Sequence, residues 1–203
     1  MIPELTDYAS SRAALLSAAG EAGALLGSHP HPLRGPGGEE LAADTARFGA
    51  APGEAHTVVL VNSGLHGVEG HAGNGLQRLL VAGGRPAALP PGVALVLVHA
   101  VNPYGFAWSR RVDHDNVDVN RNFVDYADLP ENSRYDEVDP VLNPTELDPH
   151  DQSFLAELMA FWSEVGDDVA FRTLSGGQYT HPHGVQFGGQ AATWSRRTLE
   201  RIW

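Results

Sequence analysis

Apolar and polar positions alternate along the chain in blocks that predict a mixture of helices and strands. Residues 56–63 and 92–103 are short apolar runs rich in β-branched residues, and such runs are typical of buried strands. Residues 68–81 lie between them, repeat their apolar positions at helical spacing and are followed by two glycines, which commonly end a helix. A strand, a helix and a strand at this spacing predict a βαβ unit with parallel strands.

The segments before this unit have a weaker pattern. Residues 6–26 place apolar side chains at helical spacing and predict an amphipathic helix. Residues 27–40 are rich in Pro and Gly, which indicates a loop or an irregular strand. Residues 40–49 fit either a short strand or a helical turn, and the pattern does not decide between them.

The C-terminal half is predicted to alternate loops and helices. Residues 125–151 are acidic and contain several prolines, a composition typical of a solvated surface loop. Residues 175–189 are rich in Gly and contain two histidines, which predicts another loop. Helical spacing recurs in three segments, namely residues 151–165, 167–174 and 195–203.

Two loops that follow the predicted strands carry the residues of chemical interest. One has the sequence NSGLHGVEG and the other has the sequence VNPYGFAWSRR. In open α/β sheets, ligands bind at the carboxyl ends of the strands. Because both loops leave the carboxyl ends of parallel strands, we expect them to converge in space.

Composition excludes several classes of function. The chain has 203 residues and a formal net charge of -12, whereas a protein that binds nucleic acid needs a basic surface. It contains no cysteine, which excludes thiolate metal sites, and its 13 basic residues are all arginine, which excludes lysine chemistry. No apolar run is long enough to span a membrane, and the N-terminus lacks the basic region with which a signal peptide begins. We therefore expect a cytoplasmic location and no membrane partner.

His66 and Glu69 lie in the first loop at a spacing that suits one metal ion. Imidazole nitrogen and carboxylate oxygen are both zinc ligands, and a three-residue spacing lets them point from one turn. The H-x-x-E pattern alone is weakly specific, because about one such match is expected by chance among 10 histidines. The alternative is an exposed helix start, where the helix dipole favours a carboxylate.

The second loop and the segment after it contain a cluster of arginines and polar residues. The cluster lies within WSRRVDHDNVDVNRNF and consists of Arg110, Arg111, Asp118, Asn120 and Arg121. Arginine binds carboxylates through two parallel hydrogen bonds and asparagine adds a directed one, so this cluster suits a substrate carboxylate. The alternative is a set of salt bridges with the neighbouring aspartates.

Four motifs in this order resemble the zinc carboxypeptidase superfamily. They are SGLHGVEG, NPYGF, VDVNRNF and GQYTHPHGVQFGG, and the resemblance extends from residue 58 to residue 189. The superfamily includes carboxypeptidase A-like peptidases and the succinylglutamate desuccinylase and aspartoacylase branch, and the motifs are most similar to those of a bacterial branch. The resemblance implies a three-layer α/β/α fold with a mixed sheet, formed by residues 1–203 as a single catalytic domain.

The resemblance also implies a zinc site. His66 and Glu69 would be two of the zinc ligands. Asp118 would hydrogen-bond the free ring nitrogen of His66 and so fix its tautomer. The implied reaction is the attack of zinc-activated water on an amide or peptide carbonyl.

The same resemblance assigns residues to the substrate. Asn120 and Arg121 would hold a substrate carboxylate. Arg110 or Arg111 would polarise the scissile carbonyl and stabilise the oxyanion, and the doubled arginine leaves both alignments open. The expected substrate is therefore a small peptide or an N-acyl amino acid.

A catalytic zinc ion takes three protein ligands, and the motifs supply two. In this superfamily the third ligand is a later histidine, here expected in an Asp-x-His-Thr-Gly segment, and a still later glutamate acts as general base. The chain contains no such segment, so we expect it to be truncated at the C-terminus and weakly active or inactive by itself. His181 or His183 as the third ligand is the alternative.

Two other functions compete with zinc-dependent hydrolysis. A non-catalytic carboxylate-binding domain would use Asn120 and Arg121 without a metal. A serine hydrolase would use Ser63 or Ser175, which lie near glycines, but the G-x-S-x-G motif of that class is absent. The sequence does not indicate an oligomeric state.

Overall fold

The computed structural model describes residues 7–146 and 153–203, which form seven α-helices and one four-stranded sheet. The helices are α1 (Tyr8–Glu21), α2 (Gly70–Ala82), α3 (Pro103–Ala107), α4 (Tyr135–Leu142), α5 (Ser153–Val165), α6 (Asp167–Ser175) and α7 (Trp194–Ile202). The strands are β1 (Leu25–Arg34), β2 (Glu40–Gly49), β3 (Thr57–Asn62) and β4 (Val93–His99). None of these helices is long and apolar enough to cross a membrane.

The chain divides into two compact units. The first contains the chain up to His114 together with Trp194–Trp203, and it holds the whole sheet with α1, α2, α3 and α7. The second is Asp115–Thr193 and contains α4, α5 and α6. The single domain expected for residues 1–203 stays a prediction.

The sheet is mixed and has the strand order β1-β2-β4-β3. β1 pairs with β2 and β2 pairs with β4 in antiparallel orientation, whereas β3 and β4 are parallel. The parallel pair is connected through α2, which confirms the predicted βαβ unit. The sequences TVVLVN and VALVLVH form these two strands because β-branched side chains pack well on a pleated surface.

Helices cover both faces of the sheet. On one face, Leu97 of β4 packs in a core cluster with Ala19 of α1 and Val81 of α2. Val96 points to the opposite face, because successive side chains of a strand alternate. There it lines a small cavity together with Ile202 of α7. The layers of helix, sheet and helix confirm the expected three-layer α/β fold with a mixed sheet.

β3 lies at one edge of the sheet. A strand was predicted over residues 56–63 and is present, but the prediction that it is buried is wrong. Val58 is 53% exposed and Val59 is 44% exposed, whereas β4 is buried along most of its length. Strand order is the reason. Among the described strands, β3 pairs only with β4, which itself lies between β2 and β3.

The N-terminal helix is shorter than predicted, and a strand follows it closely. α1 ends at Glu21, while Leu25 and Leu26, predicted as helical, pair with β2 at the start of β1. Gly23 helps to end the helix, because its φ of 80° is a conformation that glycine adopts without strain. Thr6 lies outside the described residues.

The two segments that follow α1 are both strands. β1 extends through the Pro-rich segment to Arg34, and its register shifts between Pro30 and Arg34, so residues 27–34 are an irregular strand rather than a loop. Residues 40–49 form a strand and not a helical turn. This strand, β2, is largely buried because it lies between β1 and β4.

The second unit is more helical than predicted. The described parts of α5 and α6 confirm two predicted helices, as α7 does in the first unit. The predicted surface loop over residues 125–151 is wrong in part, because it contains α4 with its buried Tyr135. Asp136 and Glu137 lie in the first turn of α4, where the helix dipole favours carboxylates, so an acidic segment forms a helix here. Residues 147–152 lie outside the described part.

Candidate functional site

His66 and Glu69 face each other in the H-x-x-E turn (residues 66–69), which follows β3. His66 precedes a short 3-10 helix, Gly67–Glu69, and α2 begins at Gly70. The Nδ1 atom of His66 lies 3.1 Å from the Oε1 atom of Glu69. The imidazole is largely covered and the carboxylate is exposed, so the pair lies at the protein surface.

Backbone hydrogen bonds hold the H-x-x-E turn against the loop that follows β4. The N–H of Gly67 donates to the carbonyl oxygen of Arg111 (3.1 Å), and the N–H of Val68 donates to the carbonyl oxygen of Arg110 (2.9 Å). These bonds confirm that the two loops converge, as expected from their positions after parallel strands. The doubled arginine is thereby fixed beside the turn.

The two loops approach closely because small residues lie between them. The N–H of Asn102 donates to the carbonyl oxygen of Gly64 (2.8 Å) at the root of both loops. A Cβ atom added to Gly67 would overlap the backbone of Gly105 in the second loop. Position 67 therefore requires glycine for this approach.

Asn102 also shapes the loop that carries the arginines. Its Oδ1 atom accepts a hydrogen bond from the N–H of Gly105 (2.9 Å) and caps α3. The carbonyl oxygen of Gly105 accepts a hydrogen bond from the N–H of Arg110 (2.7 Å). Arg110 is half-buried and Arg111 is exposed, but the backbones of both are bound to the H-x-x-E turn. The choice between the two side chains stays open.

A buried polar network lies at the ends of β3 and β4, and the sequence pattern did not predict it. The Ser63 hydroxyl donates to Oε1 of Gln77 (3.1 Å) and lies 3.4 Å from Nδ1 of His99. The amide nitrogen of Gln77 donates to the carbonyl oxygens of Val61 (2.9 Å) and Val98 (3.0 Å). Gln77 therefore ties α2 to the ends of β3 and β4. His99, at the end of the apolar run VALVLVH, was the feature of the sequence that could have indicated this network.

Acidification is expected to destabilise the protein through His99. Burial lowers the pKa of His99 to about 4 from its ordinary 6.5, so the unfolded chain binds more protons between these pH values. Stability is thus lost as the pH falls from 6.5 towards 4, with a slope approaching 1.4 kcal/mol per pH unit, roughly the value for one proton. Urea unfolding of the wild type and His99→Gln between pH 7 and pH 4.5 measures this difference. Equal slopes for the two proteins would contradict it.

In the second unit, Asp118 and Asn120 form a tight local structure. Asp118 is fully buried, and its carboxylate accepts a hydrogen bond from the N–H of Asn120 (2.9 Å), which caps the short 3-10 helix Val119–Arg121. The N–H of Asp118 donates to the carbonyl oxygen of Phe187 (2.8 Å). The Asn120 side chain is exposed. The predicted hydrogen bond from Asp118 to His66 stays a prediction.

Arg121 is anchored on both its backbone and its side chain. Its Nη2 atom donates to the carbonyl oxygen of Ser175 (2.7 Å), and its own carbonyl oxygen accepts a hydrogen bond from the Tyr179 hydroxyl (2.8 Å). Both partners belong to the Gly-rich region at residues 175–189, which is largely without helix or strand, as predicted. The guanidinium is therefore held in a fixed direction within the second unit.

His181 and His183, the alternative third ligands, lie in the same Gly-rich region. The Nε2 atom of His181 lies 3.5 Å from Oδ1 of Asp136, and its Nδ1 atom lies 2.9 Å from the hydroxyl of Thr180. His183 is exposed. Both ring nitrogens of His181 therefore have partners inside the second unit. A metal-binding role for either histidine stays a prediction.

The predicted site residues divide between the two units. The predicted zinc ligands His66 and Glu69 and the doubled arginine belong to the first unit, where the two loops bring them together. The three residues of the VDVNR segment belong to the second unit. Within residues 7–146 and 153–203, no three His, Asp or Glu side chains are grouped so that they could hold one metal ion.

Fold and site together define an α/β protein in which an H-x-x-E turn is bonded to an arginine-bearing loop. Residues 5–203 match the family described as "Protein of unknown function (DUF2817)", and the chain belongs to this family. No curated protein matches the chain.

Two solved structures are similar to part of the chain. A glutaminyl cyclase of Tannerella forsythia is 19% identical, with a TM-score of 0.35, over 61% of this chain and 49% of the cyclase chain. A glutaminyl cyclase of Porphyromonas gingivalis is 15% identical, with a TM-score of 0.31, over 71% of this chain and 48% of the cyclase chain. The match thus spans about half the length of each cyclase.

Proposed function

We propose that this chain carries metal and substrate residues of a zinc-dependent hydrolase related to the zinc carboxypeptidase superfamily. The reaction would be the hydrolysis of an amide or peptide bond next to a carboxylate-bearing group. The order of the four motifs suggests this reaction, and the geometry of the H-x-x-E turn supports it.

The observation that carries the proposal is the bonding of the H-x-x-E turn to the loop with the doubled arginine. Two backbone hydrogen bonds, from Gly67 and Val68, end on the carbonyl oxygens of the two arginines. Amide hydrolysis at a metal needs donor atoms for the ion and a cationic group for the charge that develops on the carbonyl oxygen. The two bonded loops contain both kinds of group.

His66 and Glu69 fit a zinc ion in donor type and in spacing. Zinc takes imidazole nitrogen and carboxylate oxygen at about 2.1 Å, so two ligands of one tetrahedral ion lie roughly 3.4 Å apart. The distance of 3.1 Å from Nδ1 of His66 to Oε1 of Glu69 is close to this separation.

The proposed roles of the other residues follow from their chemistry. When bound, zinc would supply the Lewis-acid chemistry of amide hydrolysis. Arg110 or Arg111 would donate to the carbonyl oxygen of the scissile bond and bind it more strongly as negative charge develops there. Asn120 and Arg121 would bind the substrate carboxylate and so orient the substrate.

Zinc binding is the readout that tests the proposal, because the motifs supply only two of the three usual ligands. We expect the metal-free chain to take up about one equivalent of zinc in calorimetry and elemental analysis. His66→Ala and Glu69→Gln should each weaken the zinc affinity at least about 10- to 100-fold. Removal of a residue that only hydrogen-bonds a metal ligand already causes a loss of this size, and removal of the ligand itself should cost at least as much.

Two exposed residues near the opposite end of β3 provide matched controls. His56→Ala and Glu54→Gln make the same chemical changes away from the H-x-x-E turn, and they should leave the zinc affinity unchanged. Controls that weaken binding as much as the turn variants would mean that zinc binds elsewhere, and the proposal would be wrong.

The metal-free carboxylate-binding domain is distinguished by the same titrations. A chain of that kind would bind N-acetylglycine equally well with zinc and with a chelator, and Arg121→Ala would abolish this binding. Zinc uptake that depends on His66 and Glu69 rejects this alternative.

A further inference from the structure

The outer edge of β3 is a surface that the proposed hydrolase does not use. β1 and β3 are the two edge strands of the described sheet, and the backbone N–H and C=O groups of an edge strand can pair with another strand. β1 contains Pro30 and Pro32 and shifts its register between Pro30 and Arg34, which hinders such pairing. β3 contains no proline and no charged residue, and its register with β4 is regular from Thr57 to Asn62. Of these two edges, that of β3 is therefore the more open to a further strand.

The side chains of β3 make this edge apolar on both faces of the sheet. Val58 is 53% exposed and Val59 is 44% exposed. They point to opposite faces, because successive side chains of a strand alternate. Val59 points to the face that α2 covers, since Val61, two residues further on, packs against the core cluster that contains Val81 of α2. A strand that is apolar on both faces is typical of the interior of a sheet, where another strand lies on each side.

The side of α2 that faces this edge is also apolar. Asn74 of α2 donates to the carbonyl oxygen of Ser11 in α1 (2.8 Å), so this side of α2 faces α1. Leu76 lies about 200° further round the helix and therefore on the side away from α1. α1 is bonded to β2 through Arg12 and Asp44, and β2 and β3 lie on opposite sides of β4. The side of α2 away from α1 thus faces the edge of β3, and Leu76 is 64% exposed there.

The β3 edge also differs from the rest of the chain in charge. The chain has 25 acidic residues and a net charge of -12, so two copies of it repel each other. β3 and α2 contain no acidic residue. Arg78, the one arginine of α2, lies two residues beyond Leu76 and so on the opposite side of the helix. A second copy can therefore approach at this edge without bringing like charges together.

We propose that two copies of this chain dimerise through the β3 edge, so that one sheet continues across both copies. A two-fold axis perpendicular to the sheet makes the two β3 strands antiparallel and puts both α2 helices on the same face. Val59 and Leu76 of the two copies then pack together across the axis. The antiparallel arrangement also brings Glu69, at the start of α2, towards Arg85, which follows α2 in the second copy, and both residues are exposed. Opposite charges therefore meet at each end of the contact.

The size of this edge determines how stable the dimer is. A strand of six residues and a helix of 13 residues are each about 20 Å long. With a sheet layer and a helix layer of about 10 Å each, the face measures roughly 20 by 20 Å, and the dimer buries on the order of 800 Å² in total. This area is typical of transient rather than permanent interfaces, so the dimer forms at high protein concentration and exchanges with the monomer.

Sedimentation velocity of the chain in EDTA, at concentrations up to about 0.5 mM, tests the proposal. We expect the wild type to change from monomer to dimer as the concentration rises. Val59→Lys and Leu76→Glu should each weaken the self-association at least about tenfold, because each puts two like charges next to each other across the two-fold axis. A wild type that is monomeric at every concentration would overturn the proposal.

Two substitutions away from the β3 edge are the matched controls. Val185→Lys changes a valine of the second unit that is 43% exposed, and Leu25→Glu changes a leucine of β1 that is 64% exposed, like Leu76. Both should leave the self-association unchanged. Controls that weaken it as much as the β3-edge variants would show that the copies associate elsewhere, and the proposal would be wrong.

A charge exchange tests the antiparallel arrangement with substitutions at exposed positions only. Arg85→Glu and Glu69→Arg should each weaken the dimer about twofold to fivefold, which is the range for an exposed ion pair, and the double variant should restore it. A double variant that dimerises no better than the single variants would overturn this arrangement. Because EDTA removes metal ions in every measurement, zinc binding does not affect these results, and the two proposals can fail independently.

Discussion

Gly67→Ala is expected to destabilise the first unit by about 3 kcal/mol and to separate the H-x-x-E turn from the arginine-bearing loop. The added Cβ atom would overlap Cα and the carbonyl carbon of Gly105 and the amide nitrogen of Phe106. All three are backbone atoms, which cannot move aside as the end of a flexible side chain can. The cost therefore lies at the upper end of the usual range for overpacking. Urea unfolding measures the loss of stability.

Gly20→Ala is the matched control for this substitution. Gly20 lies in α1, and a Cβ atom there would meet only Cδ1 of Leu26 at 3.7 Å, which is an ordinary contact. Because alanine is the better helix former, this variant should be neutral or up to about 1 kcal/mol more stable. A Gly67→Ala protein as stable as the wild type would contradict the close approach of the two loops. Under the proposed function it should also bind zinc more weakly.

The approach of these loops could be predicted from sequence because it depends on local patterns. Two β-branched runs and the helical spacing between them define a right-handed βαβ unit, and this unit leaves both loops at the same end of the sheet. The hydrogen bonds from Gly67 and Val68 confirm that expectation. The choice between Arg110 and Arg111 was beyond such an argument, because it depends on side-chain packing rather than on periodicity.

Features that depend on distant residues were missed. The sequence TVVLVN defines a strand, but its exposure at an edge follows from the order β1-β2-β4-β3, which pairs distant segments. The acidic composition of residues 125–151 concealed α4, where Tyr135 is buried and donates to the carbonyl oxygen of Val185, 50 residues away (2.8 Å). The network around His99 was missed for the same reason, since its partners come from three separate elements.

Arg12→Met is expected to destabilise the first unit by about 3–5 kcal/mol, because it leaves the buried carboxylate of Asp44 without its cation. Arg12 of α1 binds this carboxylate through two hydrogen bonds, from Nε to Oδ2 (2.6 Å) and from Nη2 to Oδ1 (3.0 Å). Ser28 adds a third hydrogen bond (2.6 Å). Methionine keeps the apolar part of the side chain, so the loss measured by urea unfolding is mainly electrostatic.

The pair Arg196 and Glu200 provides the control for burial. The two arginine side chains are similarly covered, at 20% exposure for Arg12 and 19% for Arg196, but Asp44 is 1% exposed and Glu200 is 43% exposed. Arg196→Met should therefore cost less than about 1 kcal/mol. Adding Asp44→Asn to Arg12→Met should restore much of the stability, because the unpaired charge is removed. A double variant no more stable than Arg12→Met would show that the loss is not electrostatic.

The same substitution should change the pH response of the sheet. Asp44 lies opposite His99 in the pairing of β2 with β4. Its charge raises the pKa of His99, and the charge of Arg12 lowers it, although burial has the larger effect. In Arg12→Met the pKa of His99 should rise from about 4 towards its ordinary value of 6.5. The pKa of His99 in the folded protein would then lie closer to its pKa in the unfolded chain. Protonation of His99 should therefore destabilise this variant less as the pH falls. The ion pair of Arg12 and Asp44 thus influences the pKa of His99.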